Sequence, residues 1–167
     1  GAEKHPITRG IKNGDVWGPS DVYGVRLPLA EGSQHIILGQ VTKRKGPRTD
    51  DPFFGMKPTD DEAAPGKKNS PMMPVTWTKS YQVPGGTKGR VFTTTMGSST
   101  DLVAKGSRRM MVNGVYWLLD LDIPKGGTKV NLTGKFEPLQ YSFRSKDYWP
   151  KQSKRPAAFR LERQKNK

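Results

Sequence analysis

Residues 90–118, RVFTTTMGSSTDLVAKGSRRMMVNGVYWL, decide the fold because they pass from a strand pattern to a helix pattern within one stretch. Residues 90–95 combine β-branched and aromatic side chains, which favours a strand. From Val103 to Leu118, apolar and small residues recur at helical spacing. Asp101 stands just before this periodic run, so the sequence predicts a helix that begins near Asp101 with this residue as its N-cap.

Further strands are predicted around this stretch. Residues 74–81 alternate between apolar and polar side chains, and the turn PGGTKG at residues 84–89 leads directly to residues 90–95. Because this link is too short for a parallel crossover, the two strands are predicted to form an antiparallel hairpin. The nearly continuous apolar run at residues 35–41 predicts a strand covered on both faces, and residues 129–132 predict a short strand-like piece.

The predicted inventory contains one long helix for a sheet that needs cover on both faces. We expect the second layer to come from residues outside this chain, from another chain or from long loops, and the first source is favoured. Residues 43–72 mix charges with turn residues and show no period, so they are expected to be a long loop insertion.

The net charge of +14 is unevenly distributed. Residues 151–167 hold seven basic residues against Glu162, a net charge of +6. We expect residues 141–167 to be an extended basic tail that is either mobile or laid against another chain. No nucleic-acid-binding module pattern accompanies the charge, so no nucleic-acid partner is expected.

Composition and motifs exclude several classes of chemistry. The chain has no cysteine, which excludes disulfides, thiolate metal sites and a cysteine nucleophile within it. No apolar run approaches the roughly 18 residues of a membrane-spanning helix, so no membrane span is expected. A hydrolase triad, a P-loop, a dinucleotide-binding fingerprint and a zinc pattern are all absent from the sequence, so no catalytic residue, metal site or cofactor is assigned.

Four stretches, in this order, resemble the ThuA-like (trehalose-utilisation) family, particularly its planctomycete version. They are residues 5–10 (HPITRG), 14–26 (GDVWGPSDVYGVR), 67–79 (KKNSPMMPVTWTK) and 89–102 (GRVFTTTMGSSTDL). The similarity covers most of the chain, and residues 1–140 are identified as the C-terminal part of such a domain.

This resemblance implies an α/β fold, a flavodoxin-like or class I glutamine amidotransferase-like three-layer sandwich that is incomplete at its N-terminus here. It also implies a link to sugar catabolism and a secreted or periplasmic location. One departure affects the chemistry. Relatives commonly have Leu-Gly-His where this chain has Met96-Gly97-Ser98, so a candidate metal-binding or acid/base histidine is absent.

The junction between the predicted strand and the predicted helix, residues 93–101, is the best candidate site in the sequence. In open α/β sheets, ligands lie beyond the carboxyl ends of the strands, and a Thr/Ser/Gly-rich turn offers hydroxyl and backbone N–H groups. The alternative is that threonines fill one sheet face and the serines only cap the helix. The candidate ligand-binding residues are Tyr23, Thr94, Thr95, Gly97, Ser98, Asp101, His5 and Asp21.

Aromatic side chains near this junction suit a sugar ring. Tyr23, together with Trp17 and Trp77, would offer apolar ring faces with a polar edge, although such residues are more often part of a core.

Titratable residues are the other candidates. His5 suits proton transfer or metal binding, and its alternative is an ordinary loop histidine. Asp15 and Asp21 would form a carboxylate pair for acid/base work. The alternative is that each aspartate only stabilises a turn. Arg108 and Arg109 are expected to play structural roles.

Together these observations predict a ThuA-like domain that binds or processes a carbohydrate, such as a disaccharide or an oxidised sugar. The alternative is a non-catalytic protein-interaction or structural module with a basic docking tail. The expected partners are accordingly a carbohydrate ligand, and either another protein or the N-terminal half of the domain.

Overall fold

The computed structural model describes residues 2–139, 142–152 and 155–159. Its strands are β1 (Ser33–Gly39), β2 (Met73–Gln82) and β3 (Lys88–Thr94), and its helices are α1 (Lys105–Leu118) and the single turn α2 (Tyr148–Lys151). Short 3₁₀ turns lie at Ala2–Lys4, Pro6–Thr8, Asp101–Val103 and Pro156–Phe159. The described chain therefore mixes helix and strand, with one long helix.

The three strands form a single sheet in the order β1-β2-β3, and both pairings are antiparallel. The predicted hairpin is confirmed, because Thr76 pairs with Thr94 and Gln82 pairs with Lys88 across the turn. A flavodoxin-like sheet is mainly parallel. The described residues establish a mixed α/β architecture, and the flavodoxin-like class stays a hypothesis beyond it.

The first strand differs from the prediction in position and in burial. It begins and ends two residues earlier than expected, and Ile36 is its only buried residue. The prediction of a strand covered on both faces was wrong, because Leu38 is 47% exposed and neither face of β1 is buried along its length. Residues 129–132 also form no strand, since they run beside α1 without a strand partner.

Helix α1 packs on one face of the sheet. Ile7, Ile36 and Met110 form the buried cluster between them, and the Thr76 hydroxyl donates to the Met110 sulfur at 3.1 Å. Glycine at position 114 permits this close packing, because a Cβ atom there would lie 2.8 Å from the Phe92 ring.

The predicted helix is confirmed except at its start. It begins at Lys105 after Ala104, whose side chain makes no capping hydrogen bond. Asp101 begins a separate 3₁₀ turn, so its prediction as the N-cap of the long helix was wrong. The reason is that the Asp101 carboxylate accepts from the backbone N–H groups of Gly97 and Ser98, which precede it, instead of from N–H groups within the helix.

The opposite face of the sheet has less cover. Trp77, directly opposite Thr93, is half-buried there, while Gly39 and Val75 pack against the Val22 side chain. In the described part of the chain, no long helix other than α1 packs on the sheet.

Residues 5–20 lie along α1 and run in the opposite direction to it. The His5 ring contacts the Trp117 ring at 5.3 Å near the end of the helix, and the Ser107 hydroxyl donates to the Trp17 carbonyl at 3.0 Å near its start. The first stretch of the family resemblance and part of the second therefore pack along the helix.

Asn113 holds this segment at its centre. The fully buried amide donates to the carbonyls of Ile7 (2.8 Å) and Arg9 (3.0 Å). Its oxygen accepts from the backbone N–H (3.1 Å) and the hydroxyl (2.8 Å) of Thr128. All four hydrogen-bonding positions of the amide are thus occupied, which joins three chain segments.

The insertion and the tail differ in how far the structure describes them. Residues 43–72 contain turns instead of helix or strand, and the Asn69 side chain fixes them by exchanging two hydrogen bonds with the Val41 backbone.

In the tail, residues 142–152 and 155–157 are almost all exposed. Residues 140–141, 153–154 and 160–167 lie outside the described part, so the extended tail stays a prediction. Among the described helices, none has both the length and the apolar character to cross a membrane.

Candidate functional site

The turn after β3 is organised around the buried carboxylate of Asp101. One oxygen, Oδ2, accepts from the Ser20 hydroxyl at 2.7 Å and from the backbone N–H groups of Gly97 (2.9 Å) and Ser98 (3.1 Å). Asp101 has no exposed surface. Gly18 is required beside it, because a Cβ atom at that position would overlap the carboxylate. The carboxylate therefore joins the N-terminal segment to the turn.

The hydroxyl groups of the turn are used within the protein. Thr94 Oγ1 donates to the Met96 carbonyl (3.0 Å) and accepts from the Met96 N–H (3.1 Å). Ser98 Oγ lies 2.9 Å from the Thr100 hydroxyl and 3.2 Å from the Ser20 hydroxyl. These contacts stabilise the turn, and a role for Thr94 and Ser98 in ligand binding stays a prediction.

In the described structure, this junction has one hydroxyl without a hydrogen-bond partner and one backbone position with free space beside it. The Thr95 hydroxyl is buried without a hydrogen-bond partner among the described residues. Gly97 is exposed at a positive φ of 150°, and nothing lies within 4 Å of the position that its Cβ would take. A side chain is disfavoured there by the backbone conformation, while a ligand atom could approach the backbone freely.

The remaining sequence candidates lie apart from the turn or point to solvent. Tyr23 is 57% exposed, and Asp21 is exposed directly after the bonded Ser20. His5 lies beside Trp117, about 18 Å along the helix from its start. The structure thus brings Thr94, Thr95, Gly97, Ser98 and Asp101 together, and it separates His5 from them.

His5 has a structural role in the described chain. Its Nδ1 accepts the backbone N–H of Ile7 at 3.2 Å, which caps the 3₁₀ turn at Pro6–Thr8. Burial lowers the pKa of His5 from its ordinary value of 6.5, so the neutral ring is favoured.

The sequence did not predict a cleft of about 350 Å³ between residues 14–17 and the start of α1, here called the Trp17 cleft. Its lining is mainly apolar. Residues that line it include Asp15, Trp17, Pro58, Val103, Lys105 and Arg109. Trp17 is held by its carbonyl bond to Ser107 and by a ring contact with Phe53 at 5.6 Å.

A second cleft of about 420 Å³ lies at the other end of α1. The Arg90 guanidinium crosses it, donating to the Trp117 carbonyl at 2.7 Å and to the Asp120 carboxylate at 2.8 Å. The same guanidinium lies 5.2 Å from the centre of the Trp117 ring. Arg9, the other arginine of the lining, donates to the Ile123 carbonyl, so internal contacts occupy both cations and the aromatic ring of this cleft.

The paired arginines of α1 both bind backbone carbonyls of residues 128–130, and each binds one further segment. Arg108 donates to Val130 at 3.0 Å and to Leu102 at 2.6 Å. Arg109 donates to Thr128 at 3.2 Å and to Gly10. The structural roles expected for both residues agree with these bonds.

Within the described residues, no three His, Cys, Asp or Glu side chains come together in a way that could hold a metal ion. Asp15 and Asp21 make no contact with each other in the described structure, and Asp15 accepts the backbone N–H of Lys12 at 2.8 Å.

Comparisons with known proteins leave the family open. No protein-family model matches the chain. No curated protein matches it, and no solved structure matches it. The ThuA-like assignment therefore depends on the four sequence stretches alone.

Proposed function

We propose that this chain is the C-terminal part of a ThuA-like domain of glutamine amidotransferase-like, flavodoxin-like fold, and that it binds a carbohydrate. The Trp17 cleft carries the proposal. Its volume lies within the usual range of small-molecule sites, roughly 300–1,000 Å³. A mainly apolar lining with a few charged groups is also typical of such sites.

Trp17 suits the apolar face of a sugar ring. Its carbonyl bond to Ser107 and its contact with Phe53 fix the residue at the wall of the cleft. An indole in this setting offers a large apolar surface and loses little side-chain freedom when a ligand binds.

Contacts around the cleft hold the loop that carries Trp17. Asp101 binds Ser20, and Ser107 binds the Trp17 carbonyl, so the loop that carries Trp17 is fixed at two points on the helix side. Gly106 allows the loop to approach, because a Cβ atom there would overlap the Asp15 backbone. Several residues singled out in the sequence thus position the site instead of contacting the ligand.

Calorimetric titration of the full chain with trehalose tests the proposal. Trp17→Leu removes the aromatic wall and keeps the backbone carbonyl that Ser107 binds, so it should weaken trehalose binding about tenfold while the melting temperature falls only by the loss of the Phe53 ring contact. Trp149→Leu, an exposed tryptophan outside the cleft, is the matched control and should bind like the wild type. Equal trehalose affinity of the wild type and Trp17→Leu would contradict the proposed site.

A second candidate function is a non-catalytic interaction module, and the less covered sheet face favours it. Trp77 is half-buried on this face, and the Thr95 hydroxyl at the end of β3 is buried without a partner among the described residues. The partner would be a separate protein chain that covers this face while the basic tail docks beside it, and the upstream half of a ThuA-like domain, co-expressed with this chain, serves as the probe. Trp77→Asp should abolish its co-purification, whereas Tyr23→Asp should leave it unchanged.

A further inference from the structure

We infer that the Trp17 cleft selects a carbohydrate that carries an anionic group, either a carboxylate or a phosphate. This inference rests on the proposed function, because it names the class of sugar that the same cleft would take. The charged residues that line the cleft are Lys105, Arg109 and Asp15, a net charge of +1.

Arg109 carries most of the argument. Its Nε donates to the Thr128 carbonyl and its Nη1 donates to the Gly10 carbonyl, which holds the guanidinium in place. Among the described residues no carboxylate pairs with it, and its Nη2 makes no hydrogen bond. Gly10 and Thr128 lie outside the lining of the cleft that Arg109 joins, so Nη2 is the guanidinium nitrogen left for an oxyanion and its charge-assisted hydrogen bonds.

The neighbouring charges add to this preference. Lys105 is exposed at the cleft and forms no salt bridge within the described chain. Asp15 is the one acidic residue of the lining. One of its carboxylate oxygens accepts the Lys12 backbone N–H, so part of its hydrogen-bonding capacity is used within the loop. An incoming anion therefore meets two cations without carboxylate partners.

The aromatic wall and the cations select for different parts of one ligand. The apolar surface of Trp17 suits a sugar ring, and Arg109 suits an oxyanion attached to that ring. A neutral sugar would leave Nη2 of the guanidinium without an anionic partner, and a simple anion such as acetate would leave the indole uncovered.

Glucose, glucuronate and glucose 6-phosphate form a matched series of probes, because they differ only in the group at one carbon of the sugar. We expect titration of the full chain to give about tenfold tighter binding for the two anionic sugars than for glucose, since hydrogen bonds to charged groups are roughly twice as strong. Raised salt should reduce this difference. Lys105→Gln should reduce it as well, and Lys88→Gln, an exposed lysine on β3, should not.

The possible outcomes distinguish the charge preference of the cleft from carbohydrate binding itself. Equal affinity for all three sugars would overturn the charge preference and leave carbohydrate binding intact. No binding of any of them, at concentrations where the fold is intact by circular dichroism, would overturn both. Arg109→Lys keeps the charge and loses the planar fork, so unchanged selectivity in that variant would contradict the role given to Arg109.

Discussion

The Ser20 hydroxyl donates to the buried carboxylate of Asp101 at 2.7 Å, across 81 positions of sequence. The same oxygen accepts two backbone N–H groups of the turn after β3. This carboxylate therefore stabilises tertiary structure between the N-terminal segment and the turn, and not the start of the long helix.

Asp101→Ala should destabilise the fold by about 2–4 kcal/mol, because it removes several hydrogen bonds to a charged group and leaves a void where the carboxylate was. A helix cap alone would cost about 1 kcal/mol. Urea unfolding followed by circular dichroism measures the difference. Asp21→Ala is the control, and this exposed neighbour should change stability by less than about 0.5 kcal/mol.

Gly18→Ala should destabilise the same junction, because the added Cβ would overlap the Asp101 carboxylate. We expect a loss of about 1–3 kcal/mol, typical of overpacking. Gly24→Ala is a matched control in the same loop, since nothing lies within 4 Å of the position of its Cβ. Equal melting temperatures for the two variants would contradict the packing described around Asp101.

Asn113→Leu should be among the most damaging single substitutions in the chain. It preserves side-chain volume but leaves the carbonyls of Ile7 and Arg9, and the N–H of Thr128, without their partner. Unpaired buried groups cost about 1–3 kcal/mol each, so soluble yield or the unfolding midpoint should fall sharply. Asn131→Leu, at an exposed position, should leave both measurements near the wild-type values.

Acidification should weaken the fold through His5. Because burial lowers its pKa in the folded state, the unfolded chain binds more protons below the ordinary value of 6.5. Stability from this group is fully present above that value and is lost as the pH falls through it towards the folded pKa. Unfolding midpoints measured from about pH 7.5 to about pH 5 should fall less in His5→Gln than in the wild type. A wild-type slope in His5→Gln would assign the pH dependence to other groups.

The local patterns of the sequence predicted the elements well where neighbouring residues decide them. The PGGTKG turn and the alternation on either side of it predicted the antiparallel hairpin, and helical spacing predicted α1 through Leu118. The start of the helix was missed because Ala104 carries no capping group and the Asp101 side chain bonds backwards along the chain.

The site was harder to predict because it depends on contacts between distant segments. Trp17 meets Ser107 across 90 positions, and Asn113 meets Ile7 across 106 positions. Periodicity and motif spacing carry no information on such pairs. Gly18, Gly106 and Gly114 lie where two segments approach closely, and each meets a different neighbour.

The central claim is that a carbohydrate binds in the Trp17 cleft. Nitrogen-15 heteronuclear NMR of the labelled full chain, titrated with glucuronate and with trehalose, tests it most directly. The account predicts saturable shifts of the Trp17 indole N–H and of the amides of residues 103–106, with the Trp77 indole unchanged. Shifts confined to residues 97–99, or no saturable shift at any residue, would contradict it.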